Sequence, residues 1–122
     1  MTLKECYAAL GGDYDEAMGR LRSEKLVQKF VLKFLNDGSY QLLLDSLAAG
    51  DREEAFRAAH TIKGVCANLA FNDLLASSEQ LTEALRDGKP AQPGEEALLA
   101  RVKADYDCAY QAISAFQEGV GG

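Results

Sequence analysis

The stretch AAHTIKGVCANLAF, residues 58–71, holds the only histidine of the chain, His60. Lys63 follows three residues later and Gly64 four residues later. A glycine inside a helix costs roughly 0.5–1 kcal/mol relative to alanine. Uncharged imidazole is a nucleophile, and residues three or four positions apart are neighbours on a helix surface. The chemical question is therefore what an imidazole, an ammonium group and a missing side chain do together.

Helical geometry places His60 on the outer face of this segment. At about 100° per residue, the apolar residues share one broad side, and His60 lies roughly 150° from its centre. That apolar side consists of Ala55, Ala58, Ala59, Ile62, Val65, Cys66 and Leu69. The neighbours of His60 one turn away are Phe56, Arg57, Lys63 and Gly64. The spacing predicts an exposed imidazole beside two cations and a residue without a side chain.

Covalent acceptance of a phosphoryl group fits this arrangement. The imidazole attacks phosphorus, Lys63 meets the negative oxygens as a point cation, and Gly64 leaves room for an in-line approach. Arg57 is a second cation nearby. Metal binding is poorly supported, because a second helical ligand would stand at i+4, where Gly64 is. A catalytic triad is also poorly supported, because Cys66 lies on the core side and no other nucleophile is placed near His60.

Composition limits the class of protein. The 122 residues suit one domain, with 48% hydrophobic residues, 26% charged residues and two prolines. The net charge of −6 argues against a nucleic-acid partner, which would need a concentrated basic face. No stretch suits a signal peptide or a membrane span. Cys6, Cys66 and Cys108 form no CxxC pair, so free thiols and a cytoplasmic location are expected.

Capped amphipathic segments predict an all-α protein. Helix caps are expected at Thr2, Asp13, Ser23, Asp51 and Asn72, and breaks at Gly11, Gly12, residues 36–39, Gly50 and residues 89–94. Short connections make neighbouring helices antiparallel, which predicts an up-down four-helix bundle with short extra N-terminal helices. A single domain spans residues 1–122. Within it, 1–21 form N-terminal cap helices, 22–118 the bundle and 119–122 a frayed tail.

The segment HTIKGVCANLA, residues 60–70, and the preceding AFRAA resemble the histidine phosphotransfer (HPt) domain of two-component phosphorelays. The resemblance implies that His60 is the phospho-acceptor and that Lys63 and Gly64 belong to its site. Three positions depart from the family pattern: Val65 and Cys66 replace small residues, and Ala70 stands where glycine is common. Members often carry a polar side chain on the next helix against the imidazole. The usual spacing falls on Thr82, with Gln80 close by, and neither is assigned this role.

The resemblance implies a phosphocarrier that accepts a phosphoryl group on His60 and passes it to or from an aspartate of a receiver domain. The implied partners are response-regulator receiver domains and a hybrid sensor histidine kinase. No cofactor is expected in this chain, because Mg²⁺ belongs to the receiver. No kinase activity is expected either, because the chain has no GxxxxGK[ST] loop. The protein is expected to be a free-standing monomer.

Two other functions stay open at this point. A helical interaction module would bind a partner without phosphotransfer, and His60 would then be an incidental surface residue. A small metal or ligand carrier ranks below both. Label transferred from a phosphorylated receiver separates the phosphocarrier from these alternatives.

Overall fold

The computed structural model describes residues 1–121, and this range is all-helical, without a strand. Its elements are α1 Leu3–Leu10, α2 Tyr14–Leu21, α3 Glu24–Phe34, α4 Ser39–Ala48, α5 Arg52–Leu69, α6 Asn72–Leu85, a 3₁₀ turn Arg86–Gly88, and α7 Glu95–Gly121. The predicted all-α class is confirmed. Within the described range, no helix combines the length and the apolar character needed to cross a membrane.

Side-chain oxygens cap four of the five helices for which the sequence predicts a cap. Thr2 and Glu5 form a reciprocal capping box at the start of α1. Asp13, Ser23 and Asp51 each accept a backbone N–H from three residues further on, at the starts of α2, α3 and α5. Each such cap stabilises its helix by about 1 kcal/mol. Each cap joins residues only three positions apart, so these helix starts do not depend on tertiary contacts.

The helices form the predicted up-down four-helix bundle. Its first helix is interrupted between α3 and α4, as expected at residues 36–39, and α5, α6 and α7 supply the other three. α5 packs mainly against α4 and α6, while α6 packs in turn against α7. Of the two extra N-terminal helices, α1 lies along α7 and α2 contacts α3 and α5. The histidine helix therefore has neighbours on both flanks and an open outer side.

The apolar face predicted for the histidine helix is the core face of α5. Its buried members are Ala55, Ala58, Ala59, Ile62, Cys66 and Leu69. Val65 is half-buried, because it lines a groove between α3 and α5 together with Phe30 and Asn68. Burying this face leaves the opposite side of α5 exposed to solvent, as the periodicity predicts.

Two predicted helix ends differ from the structure. α6 has Phe71 at its N-cap position and no side-chain cap, so Asn72 is the first helical residue instead of the cap. The backbone N–H of Asp73 donates to the carbonyl of Gly11 at 3.1 Å, so the turn after α1 supplies an acceptor from elsewhere in the chain.

The C-terminal helix also runs further than expected. α7 continues through Gly119 to Gly121, whereas a frayed tail was expected from residue 119; residue 122 lies outside the described range. Glycine lowers helix propensity by only about 1 kcal/mol and does not by itself end a helix. The last turns of α7 also lie beside the chain's start, since the Met1 nitrogen is 3.6 Å from where a Cβ on Gly119 would be.

Candidate functional site

His60 lies on the exposed side of α5, as predicted. Asp51 caps this helix, Glu53 and Glu54 lie in its first turn, and alanines make up much of the segment before the histidine. Acidic residues at a helix start interact favourably with the helix dipole, and alanine has the highest helix propensity. Within residues 1–121 no side-chain hydrogen bond to His60 is formed. The imidazole is therefore open to a reacting group from outside.

A phenyl ring supports the imidazole from one side. The rings of Phe56 and His60 meet edge to face, with centroids 5.9 Å apart and planes at 66°. Such a pair gains roughly 0.5–1.5 kcal/mol beyond the area that it buries. The guanidinium carbon of Arg86 lies 5.3 Å from the centroid of Phe56, and Arg86 Nε donates to Glu83 Oε2 at 2.6 Å. A continuous set of contacts thus joins His60 to the end of α6.

From the sequence, Phe56 is predicted only to be a neighbour of His60. The signal for its role is the i, i+4 spacing of an aromatic ring and an imidazole on one helix. No comparable signal points to Arg86 and Glu83, because their position next to α5 depends on how α6 and the 3₁₀ turn pack. These two residues were missed.

Lys63 is half-buried on α5, and its charge acts on Glu83 of α6. The hydrogen bond from Arg86 lowers the pKa of the Glu83 carboxyl, and the positive charge of Lys63 acts in the same direction. Among the described residues no carboxylate oxygen lies within 4.0 Å of the Lys63 ammonium group. Lys63 therefore carries a charge that no direct ion pair neutralises, one turn from His60.

Arg57 is engaged elsewhere. Its guanidinium lies 2.5 Å from Glu54 and 4.0 Å from Glu53, both in the first turn of α5. These carboxylates compensate its charge, so Arg57 is a weaker candidate than Lys63 for binding an anion at His60. The backbone of Arg57 accepts a hydrogen bond from the Thr61 hydroxyl, and these two residues border an open depression of about 480 Å³ with Phe56 and His60.

Gly64 faces empty space. Apart from its chain neighbours and its own helix backbone, no heavy atom of residues 1–121 lies within 4 Å of the position that a Cβ on Gly64 would take. Close helix packing therefore does not require a glycine here. The missing side chain leaves the surface of α5 open one turn after the imidazole.

Thr82 and Gln80 do not meet the imidazole. Thr82 is only 1% exposed, and its hydroxyl donates to the Ser78 carbonyl at 2.6 Å within α6. Gln80 is exposed and accepts a hydrogen bond from Arg101 on α7 at 3.4 Å. The polar groups near the site are instead Glu83 of α6 and Arg86 of the 3₁₀ turn that follows it.

No metal site accompanies the histidine in the part of the chain that the structure describes. There, no three His, Cys, Asp or Glu side chains lie close enough together to hold a metal ion. Around His60 lie a lysine, a phenyl ring and arginine–carboxylate pairs. The uncompensated charge of Lys63 suits an anionic group on the imidazole better than it suits a cation.

Two helices outside the bundle hold the end of α5. The Tyr7 hydroxyl donates to the Leu69 carbonyl at 2.8 Å. The backbone N–H of Asp13 donates to the Ala70 carbonyl at 2.9 Å. Arg20 donates to the carbonyl of Ala67. The carbonyls at the end of a helix have no partners within it, and here α1, α2 and the turn between them provide the donors.

One family model matches this chain. The model described as "Hpt domain" matches residues 31–112, which is more than half of the sequence and includes His60, Lys63 and Gly64. The matched range holds all of α4, α5 and α6 and most of α7, while α1 and α2 lie outside it. No curated protein and no solved structure matches the chain.

Proposed function

Because this chain belongs to the Hpt domain family, whose members act in histidine phosphotransfer with receiver domains and kinases of two-component systems, we propose that it is a phosphocarrier. His60 accepts a phosphoryl group and exchanges it with an aspartate of a receiver domain. The observation that carries this proposal is the exposed imidazole of His60 on α5, with open space over Gly64 one turn away.

The transfer step makes one bond and breaks one. The lone pair of Nε2, the ring nitrogen of His60 farther from the backbone, attacks phosphorus. As the N–P bond forms, the P–O bond to the receiver's aspartate breaks, and its electron pair leaves with the aspartate carboxylate. In the reverse transfer a carboxylate oxygen of the receiver's aspartate attacks phosphorus and forms the P–O bond, while the N–P bond breaks and its electron pair returns to Nε2. The chain needs no metal ion for this step if Mg²⁺ is bound by the receiver.

Three neighbours of His60 have distinct roles in this proposal. Phe56 restricts the plane of the imidazole through its edge-to-face contact. Lys63 lies one turn away, and its ammonium group attracts the phosphoryl oxygens as charge redistributes in the transition state. Gly64 adds no side chain where the receiver must approach in line with the breaking bond.

Transfer from a receiver tests the proposal. A receiver domain is loaded with radiolabelled acetyl phosphate, freed of excess donor and mixed with the wild-type chain or with His60→Gln. We expect label on the wild type that survives base and is lost in acid, as a phosphoramidate bond requires, and none on the variant. Circular dichroism should show both chains folded, because the His60 side chain is exposed.

Two outcomes would contradict the proposal. Label retained by folded His60→Gln would place the acceptor elsewhere. A wild-type chain that binds receivers but takes no label from any of them would be an interaction module, the alternative that the sequence leaves open.

A further inference from the structure

α2 lies on the same side of the molecule as the histidine. Arg20 of α2 contacts Ala67, which follows His60 by seven residues on α5. Seven residues are close to two helical turns, so Ala67 lies within about 20° of the direction of His60 and about 10 Å further along the helix axis. Arg20 therefore lies at the far end of the outer face of α5, which we call the His60 face and define by His60, Gly64 and Ala67.

Arg20 is accessible as well as anchored. Its side chain is 43% exposed, and it pairs at 3.1 Å with Glu16, which is 40% exposed. A solvent-exposed pair four residues apart on a helix contributes only about 0.3–0.5 kcal/mol. A carboxylate from another protein is therefore able to compete with Glu16 for this guanidinium.

The charges along the His60 face are unequal. At its N-terminal end, Arg57 is held by Glu54, and Arg86 is held by Glu83. Lys63 lies near the middle without a direct ion pair in the described part of the chain. Arg20 is a cation at the opposite end, where its guanidinium donates to the carbonyl of Ala67. A partner that brings an anionic phosphoryl group to His60 thus meets the charge of Lys63 near the middle of this face, and at its Ala67 end an arginine that pairs only with the exposed Glu16.

A docking interface of ordinary area, centred on His60, is large enough to include part of α2. A specific interface covers about 800 Å² on each partner, which corresponds to a disc of about 16 Å radius. Arg20 lies beside a residue about 10 Å from His60 along α5. A receiver centred on His60 therefore also covers this part of α2.

We propose that α2 is part of the receiver-docking surface and that Arg20 is a specificity determinant for receivers with a carboxylate at the matching edge of their docking face. This inference rests on the proposed phosphocarrier function. It assigns partner selection to a helix outside residues 31–112, the range that matches the family. Arg20 acts on docking and not on the chemistry at Nε2, because it lies two turns from His60.

The test compares Arg20→Glu and Arg20→Lys with Tyr7→Phe. The Tyr7 variant is the matched control, because it removes a different hydrogen bond to the last turn of α5 from a buried position. For each chain, phosphotransfer from a set of acetyl-phosphate-loaded receivers is measured as kcat and KM, at low and high salt. Labelling by potassium phosphoramidate, which transfers its phosphoryl group to imidazole and releases ammonia, reports on His60 without a receiver.

With at least one receiver, we expect Arg20→Glu to raise KM about tenfold at low salt, with kcat at saturation unchanged. A charge at an interface rim acts mainly on association and is screened by salt, so the difference should shrink at high salt. Arg20→Lys should restore most of the affinity. Tyr7→Phe should lower the melting temperature without changing KM. Phosphoramidate labelling should be the same in all folded chains.

The contrary result is a lower melting temperature for both Arg20 variants with KM unchanged for every receiver, since Arg20 would then only cap α5. Failure of the phosphocarrier proposal is a separate result. If the wild type takes no label from receivers, calorimetric titration with the unphosphorylated receivers measures docking alone. About tenfold weaker binding of Arg20→Glu than of wild type supports the inference. Equal affinities, or no binding by the wild type, would overturn it.

Discussion

At the scale of single residues, substitutions of Gly64 should affect the stability of α5 and the access of a partner to His60 in different ways. Its missing Cβ faces open space, so alanine at this position should improve the helix without entering the core. We expect Gly64→Ala to raise the free energy of unfolding by about 0.5–1 kcal/mol, measured by urea denaturation. Gly19→Ala is the matched control, because Gly19 also lies within a helix and faces open space. Destabilisation by Gly64→Ala alone would show that α5 needs this glycine for packing.

A longer side chain at the same position should act on transfer alone. We expect Gly64→Gln to leave the melting temperature nearly unchanged and to slow receiver-to-His60 transfer about a hundredfold, because small misplacements of reacting groups have effects of that size. Ala104→Gln, on the exposed side of α7, controls for a surface glutamine. A normal transfer rate per folded Gly64→Gln molecule would argue against clearance as the reason for the glycine.

Phe56 should matter through the orientation of the imidazole. Its ring is in edge-to-face contact with His60 and lies under Arg86. We expect Phe56→Ala to lower kcat for transfer roughly tenfold per folded molecule with little change in KM, because the freed imidazole samples unproductive orientations. Phe56→Tyr keeps the ring and should recover most of the rate. If alanine and tyrosine reduce kcat equally, the ring contact does not position His60.

At the scale of elements, the end of α5 depends on α1. The Tyr7 hydroxyl is the donor for the Leu69 carbonyl, and both residues are buried. We expect Tyr7→Phe to lower the free energy of unfolding by about 1–3 kcal/mol, because a buried carbonyl loses its partner while the ring still packs. Chemical denaturation measures this, with the exposed Tyr110→Phe as control. An unchanged stability would mean that water or another donor replaces the hydroxyl.

Helix boundaries show which part of the fold the sequence determines locally. Thr2, Asp13 and Asp51 cap their helices as predicted, because the acceptor and the N–H lie three residues apart. Asn72 was predicted by the same rule and is not a cap, because the N–H of Leu75, three residues on, donates to the carbonyl of Phe71. The free N–H of Asp73 at this helix start donates to the carbonyl of Gly11. A contact between residues 62 positions apart leaves no signal in a local pattern.

The same distinction applies to the candidate site. The outward direction of His60 follows from the period of one helix, and it could be predicted. The contacts of Arg86 with Phe56 and of Arg20 with Ala67 depend on how α6 and α2 pack against α5. No periodicity within a single helix encodes those distances. The exposed position of His60 and its neighbours along α5 was therefore predictable, whereas the residues of α2 and of the turn after α6 that lie beside them were not.

At the scale of the whole molecule, the packing that exposes His60 also buries two thiols. Cys66 lies on the core face of α5 and Cys6 on the inner face of α1, and both side chains are fully buried. Burial raises the pKa of Cys66 to about 12 and that of Cys6 to about 11, from an ordinary value of 9.0. Burial also raises the pKa of the Tyr7 hydroxyl. All three groups are neutral when protonated, so the folded state holds their protons more tightly than the unfolded chain does.

This difference makes the bundle sensitive to alkaline pH. Below pH 9 the thiols are protonated in both states, and stability does not depend on them. Above pH 9 the unfolded chain loses these protons first, so stability falls until the pH reaches the folded-state pKa values of about 11 and 12. Each thiol should lower the free energy of unfolding by about 1.4 kcal/mol per pH unit in this window. Urea denaturation at pH 8, 9 and 10 should therefore show that the free energy of unfolding falls by about 2–3 kcal/mol by pH 10. This is the sum of about 1.4 kcal/mol for each of the two thiols over the one pH unit above 9.

Substitution of one thiol tests whether this dependence comes from the core. Cys66→Ala removes one of the two groups, so it should roughly halve the decline in stability between pH 9 and pH 10, even though its stability at pH 8 is lower. Cys108→Ser is the matched control, because Cys108 is exposed and its replacement should leave the decline as in wild type. An equal decline in Cys66→Ala and wild type would show that Cys66 ionises alike in the folded and unfolded chain, and that the core around α5 admits solvent.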